Sequence, residues 1–191
     1  MQYLGLLGRI CRNALLYTPG SSGPGMALPK GMTATSSMIT VSALVTEAAA
    51  NTFTTAEIDL TLNALDQEAF IVYAVQSDLD PCDAIPGANT ATGFSLSTTA
   101  RTTLGNLSDN NVFHVHNMNI RAAGFVDSGV AFDQVGPDSA SGDLPYIAVV
   151  ATNNFSAQIQ GQNNAAAKTG FFKVYGQRVR LSAAQYAALV Q

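Results

Sequence analysis

Charge is scarce in this chain: across 191 residues, Asp, Glu, Lys and Arg supply 12%, about half the ~25% usual in soluble domains. Only three Lys and three Glu are present, so the surface must draw its polarity from 17 Thr, 14 Ser and 13 Asn, beside 29 Ala. Free-living enzymes usually rely on Lys and Glu for solubility; a weakly charged Ser/Thr/Ala surface is better suited to being covered by copies of itself. Histidine is nearly absent too, with two residues and scattered carboxylates, which leaves acid–base catalysis few candidate pairs. Cys11 and Cys82 cannot make a disulfide framework, and their spacing fits no zinc motif; two unrelated thiols are expected, with one bridge between them as the alternative. No apolar run reaches the ~18 residues that span a membrane. Arg9 and Arg12 interrupt the N-terminal apolar stretch instead of preceding it, so no secretory signal is expected. The nucleophile elbow, the phosphate loop and the dinucleotide fingerprint are missing as well. No aromatic-plus-basic cluster marks a sequence-reading nucleic-acid surface. An enzyme acting on a small-molecule substrate is not expected.

What is present is apolar bulk. Hydrophobic residues make up 47%, enough for a sizeable core in one domain with an appendage. The net charge of −4 divides into blocks. Residues 1–46 hold Arg9, Arg12 and Lys30 and no acid; residues 47–143 hold all 13 acids against Arg101 and Arg121; residues 144–191 hold Lys168, Lys173, Arg178 and Arg180 and no acid. Basic ends flank an acidic middle, a pattern that can direct the ends toward nucleic acid, an anionic membrane or a neighbour's acidic face.

Residues 2–17 have helical periodicity. Tyr3, Leu4, Leu6, Leu7, Ile10 and Leu15 fall on one half of the wheel, with Gln2, Arg9, Arg12 and Asn13 on the other. Gly5 and Gly8 weaken this helix by roughly 1 kcal/mol each, so it needs a surface to lie on: its own body, a neighbouring subunit or a membrane interface. Residues 18–36 form a Gly/Pro/Ser-rich linker. Strands are then expected at Met38–Thr46, Thr52–Asn63, Ala69–Gln76, Gly93–Thr99, Val112–Ile120, Gly124–Phe132, Pro145–Thr152, Phe155–Gln160 and Gly170–Leu181. Thr52–Asn63 alternates strictly, with Ala56, Ile58, Leu60 and Leu62 on one face. Ala69–Gln76 is apolar on both faces, as a central strand would be. The short loop between these two predicts an antiparallel pair. The longest loops fall at Asp80–Ala91, Gly136–Asp143 and Gly161–Lys168. Polar, Gly- or Asn-rich loops without helical patterns between strands indicate an all-β, antiparallel two-sheet sandwich over residues 37–181. A helical tail follows over residues 182–191, where Ser182 and Gln185 have capping-box spacing.

Three short constellations could carry chemistry. His114 and His116 share one face of a strand, and His-x-His is a two-ligand metal arrangement found in half of the cupin motif. The remaining cupin ligands are missing, so two polar residues on the solvent face of a strand are expected. Asp78, Asp80 and Asp83 place three carboxylates after a buried strand, a candidate Ca²⁺ loop without the Gly and terminal Glu of an EF-hand; a solvated acidic loop competes with that reading. Phe125-Val-Asp-Ser-Gly129 resembles the aspartic-protease motif, with Asp127 in the catalytic position, but a single copy would need a dimer to complete the carboxylate pair.

An arm with Arg9 and Arg12, the Pro19–Pro29 linker and the strand series from Met38 to Leu181 together resemble the small jelly-roll coat proteins of icosahedral viruses and bacteriophages. The likeness is one of architecture and composition. It implies a structural virion protein, a self-assembling capsid subunit located in the virion. Its sandwich tiles with copies of itself, and its arm (Leu4, Leu7, Ile10, Arg9, Arg12) contacts a neighbouring subunit, other virion proteins, an internal lipid membrane or viral nucleic acid. So few arm charges depart from coats that condense RNA, which moves the inner partner toward lipid or protein. Two other readings remain: a cupin-like metalloprotein using His114 and His116, and a carbohydrate-binding or adhesion sandwich.

Overall fold

The computed structural model describes residues 28–122, 129–139 and 144–190. The expected helix over residues 2–17, Cys11 and the Asp127 motif lie outside them. Period-two alternation builds the sandwich strand by strand. In β1 (Met32–Thr46) Ile39, Val41, Ala43 and Val45 pack inward, and in β2 (Thr54–Asp59) Ala56 and Ile58 do so. β3 (Glu68–Leu79) buries both faces, as expected of a central strand: Phe70, Val72 and Val75 point into the main core, while Ala69, Ile71 and Tyr73 enter a second cluster. β4 (Thr90–Ser97), β5 (Val112–Arg121), β6 (Val130–Gly136), β7 (Ala148–Val150), β8 (Asn154–Gln162) and β9 (Thr169–Leu181) follow. The helix α1 (Ala183–Val190) closes the series.

One sheet has the order β1-β9-β3-β7 and the other β2-β8-β4-β5-β6. The pairs β1·β9, β2·β8, β3·β7 and β4·β5 are all antiparallel. The chain is thus a long antiparallel ribbon, doubled back between β4 and β5, whose successive rungs alternate between the two sheets. That wiring is a jelly roll, the double Greek key on which viral capsid proteins, lectins and cupins are built, with β6 added at one edge. The all-β sandwich with a short C-terminal helix agrees with the sequence reading.

The pairing expected between the second and third strands is not formed. β2 pairs with β8, and β3 with β9 and β7, in opposite sheets. The turn Ala64–Asp66, capped by the Asn63 side chain, carries the chain across the sandwich instead of back along it. β1 begins at Met32 rather than Met38, because the last turns of β9 offer Val179, Arg180 and Leu181 as partners beyond an irregularity between Ala34 and Met38. Of the strand expected at Gly124–Phe132, residues 124–128 lie outside the described residues; the described strand runs over Val130–Gly136.

The core between the sheets is aromatic. Phe94 and Phe172 stack with centroids 5.5 Å apart, Phe155 meets Phe172 edge-on at 6.1 Å, and Phe113 meets Phe155 at 5.9 Å. Such pairs add about 0.5–1.5 kcal/mol beyond area burial. The second cluster lies on the outer face of the first sheet, where Tyr186 of α1 packs with Tyr146, Val149 and Met32. The capping box forms as spaced: Gln185 N–H donates to Ser182 Oγ, and Ser182 N–H to Gln185 Oε1. Gln185 Nε2 also donates to the Lys30 carbonyl at 3.0 Å, which ties the helix to the start of β1. Among the described residues no helix is long and apolar enough to cross a membrane.

Candidate functional site

A sandwich this apolar makes its buried polar groups conspicuous, since each must find a partner inside. Among the described residues all buried side-chain polar atoms do. They gather into two networks and one covered face.

The first network closes one end of the sandwich. Glu47, just past β1, is buried, and its carboxylate accepts from the backbone N–H groups of Gly161 and Lys168 at 2.5 and 2.9 Å. A Cβ on Gly161 would stand 3.0 Å from Glu47 Oε2 and 2.8 Å from Asn164 Nδ2, so the strand there needs glycine for the carboxylate to lie against it. The buried Lys168 reaches Asp83 with Nζ–Oδ1 at 2.6 Å. Asp83 also accepts from Ala165 N–H at 2.7 Å. The Lys168 ammonium first, and the Ala165 N–H next, hold this carboxyl below its usual range. Asn164 donates to the Ala91 carbonyl and exchanges two hydrogen bonds with Asn51.

This is where two of the three candidate Ca²⁺ ligands lie. Asp83 is occupied as described, and Asp80 accepts from Thr169 N–H at 2.8 Å. Asp78 is in register with Phe171 on the outer face of the first sheet. Among the described residues no three His, Cys, Asp or Glu side chains gather in a way that could hold a metal ion. Cys82 is a buried free thiol here, with Sγ 3.2 Å from the Met118 carbonyl.

The second network holds the histidines, which the sequence reading put on a solvent face. Both are buried, His114 at 0% and His116 at 4% exposure. They share one face as their spacing requires, but it is the inner one, in register with Leu96 and Phe94 of β4. Phe94 meets the His114 ring edge-on at 6.2 Å. Ser77 of β3 stands between them, its Oγ 2.8 Å from His114 Nε2 and 2.8 Å from His116 Nδ1. The outer nitrogens are occupied too: His114 Nδ1 lies 2.8 Å from the Pro137 carbonyl, and His116 Nε2 lies 2.8 Å from Asp133 Oδ1. All four ring nitrogens stand within hydrogen-bond distance of a protein group, so a metal would have to displace one of these partners. Ser77, His116 and Asp133 have the composition of a hydrolase triad. However, His114 also takes the hydroxyl, and both imidazoles face the core while Asp133 is more than half exposed, so the arrangement ties the two sheets together.

The outer face of the second sheet is half covered. The connection over residues 98–111, which the sequence reading left out of its longest loops, folds across it. Arg101 pins this loop through Asp109 at 2.8 Å and Asn111 at 2.7 Å. Beneath it, the fully buried Gln158 accepts from Ser95 Oγ and donates to Ser97 Oγ, and Ser95 Oγ accepts from Gly105 N–H. Beyond Leu104 the face opens into a furrow of about 470 Å³. Its floor is Gly93 and Ala91 of β4, and the register places Asn117 and Gln160 beside Gly93, Asn119 and Gln162 beside Ala91. Four carboxamides in two facing pairs thus line an uncharged trough. Sequence inspection missed it because the residues come from three strands far apart in the chain.

Large apolar side chains remain uncovered at the opposite margins. Phe132 of β6 is 52% exposed, with Val130 beside it on the same face and Val135 exposed on the other; Leu44 of β1 and Phe171 of β9, cross-strand neighbours, are 55% and 43% exposed. The arm residues Leu4, Leu7, Ile10, Arg9 and Arg12 lie outside the described residues.

No protein-family model matches the chain, and a comparison with curated proteins found no match. Solved structures resemble it in fold. The VP1 pentamer of Human Polyomavirus 6 matches with TM-score 0.41 and 9% identity, over 82% of this chain and 97% of that one. Apo Chimpanzee Polyomavirus VP1 matches with TM-score 0.40 and 6% identity, over 78% and 98%. Desmodium yellow mottle tymovirus matches with TM-score 0.34 and 14% identity, over 82% and 93%.

Proposed function

We propose that the chain is a structural virion protein, a shell subunit that tiles with copies of itself. The observation that carries this reading is the position of the uncovered apolar side chains. Two groups of them lie at the margins of the jelly roll, Val130 and Phe132 on the edge strand β6 and Leu44 on the edge strand β1 beside Phe171 of β9, within a surface that has few charges. Single exposed apolar residues are ordinary, but clusters on edge strands mark contact sites. Few Lys and Glu stand there to oppose a neighbour. In the assembled state the arm, with Leu4, Leu7 and Ile10 on one face and Arg9 and Arg12 on the other, contacts a neighbouring subunit, an internal membrane or the genome. Electron microscopy of the purified full chain tests the reading: closed particles are expected, and dispersed monomers under all assembly conditions would overturn it. Deleting residues 1–35 then tests the arm, with altered shells or altered lipid or genome content as the expected result.

A second reading, a saccharide-binding sandwich, is favoured by the furrow. Carboxamides both donate and accept, as sugar hydroxyls do, and Asn117, Asn119, Gln160 and Gln162 line the trough without charge. Binding of neutral oligosaccharides by a monomeric protein, lost in Asn117→Ala/Gln160→Ala, would favour this reading over the shell.

A further inference from the structure

The chain Pro137–His114–Ser77–His116–Asp133 joins three strands and both sheets, and its protons can be counted. The Pro137 carbonyl and the Asp133 carboxylate only accept. His114 Nδ1 and His116 Nε2, which face them, therefore carry hydrogens. In neutral rings that leaves His114 Nε2 and His116 Nδ1 as bare acceptors, both 2.8 Å from one Ser77 hydroxyl. Ser77 has a single proton and satisfies one of them. Four hydrogen bonds form only when the network holds one proton more than neutral imidazoles and an ionised Asp133 supply.

The surroundings decide where that proton resides. On His116 it faces the Asp133 carboxylate across 2.8 Å. On His114 it would be buried against Phe94, with Asp138 as the acidic neighbour. Burial first, opposed by the Pro137 carbonyl, holds His114 below the usual imidazole range, and the nearby His116 lowers it further. Among the described residues the other elements facing the pair add no charge: β3 points Ser77 inward with Asp78 on its opposite face, while β4 and β9 present Phe94 and Phe172. A second added proton would put two imidazoliums on one hydroxyl and leave the Ser77 hydrogen without an acceptor. The complete network therefore belongs to one protonation count.

We propose that this network is a proton-operated latch, which with one added proton holds the edge strand β6 and the crossing segment after it to the sandwich, and which releases them when that proton leaves. What it holds is defined. Asp133 lies on β6, the outermost strand of its sheet, and Pro137 opens the segment that crosses to β3. There Val75 N–H donates to the Asp138 carbonyl at 2.8 Å and Ala74 bridges to Ser139. Among the described residues β6 has a ladder with β5 alone, so there the latch is its connection to the opposite sheet besides that crossing.

The latch does not depend on the shell reading, and its test is separate. Hydrogen exchange of the full chain, followed by mass spectrometry at pH 6 and pH 8 and corrected for intrinsic rates, reads β6 against β8 as an internal control. Loss of one charge-assisted bond predicts about tenfold faster exchange of residues 129–139 at pH 8, with β8 unchanged. In Ser77→Ala, β6 is expected to exchange fast at both values. In His116→Gln, whose amide can still bridge Ser77 and Asp133 but does not titrate, the pH dependence is expected to vanish. Equal corrected exchange at pH 6 and pH 8 in the unaltered chain would overturn the latch, as would a pH dependence that survives in His116→Gln. The unaltered chain decides the matter alone if a variant does not fold.

Discussion

The two polar networks occupy the same sandwich and solve the same problem in different ways. Around Glu47 and Lys168, carboxylates face backbone N–H groups and the Lys168 side chain, so every acceptor there meets a donor. Around Ser77, two ring nitrogens compete for one hydroxyl proton, and the match depends on a proton taken from solution. A buried polar network is thus a permanent clasp or a switch according to its donor count rather than its burial. The first clasps three loops at one end of the roll; the second fastens an edge strand that a neighbour would meet.

The largest expected effect tests the clasp. Glu47→Ala leaves the N–H groups of Gly161 and Lys168 buried without their acceptor, and bonds to a charged group are worth about 1.5–3 kcal/mol each. A loss of about 3–5 kcal/mol follows, or roughly 10 °C in Tm at the ~2–4 °C per kcal/mol of a chain this size, read by thermal melting. A drop under 2 °C would mean that water replaces the carboxylate and that no closed clasp exists. Ser77→Ala comes next. It unseats two imidazole nitrogens but leaves His116 its carboxylate, so about 2 kcal/mol is expected by denaturant titration. The double variant sharpens the comparison: separate networks should add within about 0.5 kcal/mol, and a larger coupling would make them one.

How much of this was legible in the sequence follows from range. The alternation of Ala56, Ile58 and Leu60 assigned the faces of β2 correctly, and Ser182 with Gln185 gave the helix cap, because both are local patterns. The partner of β2 was not legible, since a short loop between two strands suits either a hairpin or a crossing between sheets. His-x-His spacing put both rings on one face but not on which one. Phe113 and Val115 look like the core side, yet an irregularity opposite Leu96 and Ser97 turns Phe113 inward beside the histidines, while Val115 is buried under the loop over residues 98–111. The clasp was illegible for a simpler reason: Glu47 meets residues more than a hundred positions away, and only the roll brings them together.

The smallest effect is also the most discriminating, because it separates the networks by pH rather than by mutation. Asp83 in the clasp is held below the ordinary carboxylate value of 3.8 by Lys168 and the Ala165 N–H. Its folded form stays ionised after the unfolded chain has begun to take up protons. The stability it contributes is present above about pH 3.8 and is lost as pH falls through its lower folded value. His114 is held below 6.5, chiefly by burial. The unfolded chain binds a proton at this site first, so the stability that a neutral His114 contributes is present above about pH 6.5 and declines as pH falls through its depressed folded value, opposite in sign to the single latch proton, which is lost as pH rises. The two losses should therefore appear in sequence on acidification: a shallow decline that begins near pH 6.5, and a second that begins near pH 3.8. His114→Gln should flatten the first and leave the second, as read from denaturation midpoints at half-unit steps of pH. If the first decline persists in that variant, the histidine network is not its origin, and the division between clasp and switch fails at the point where it is most specific.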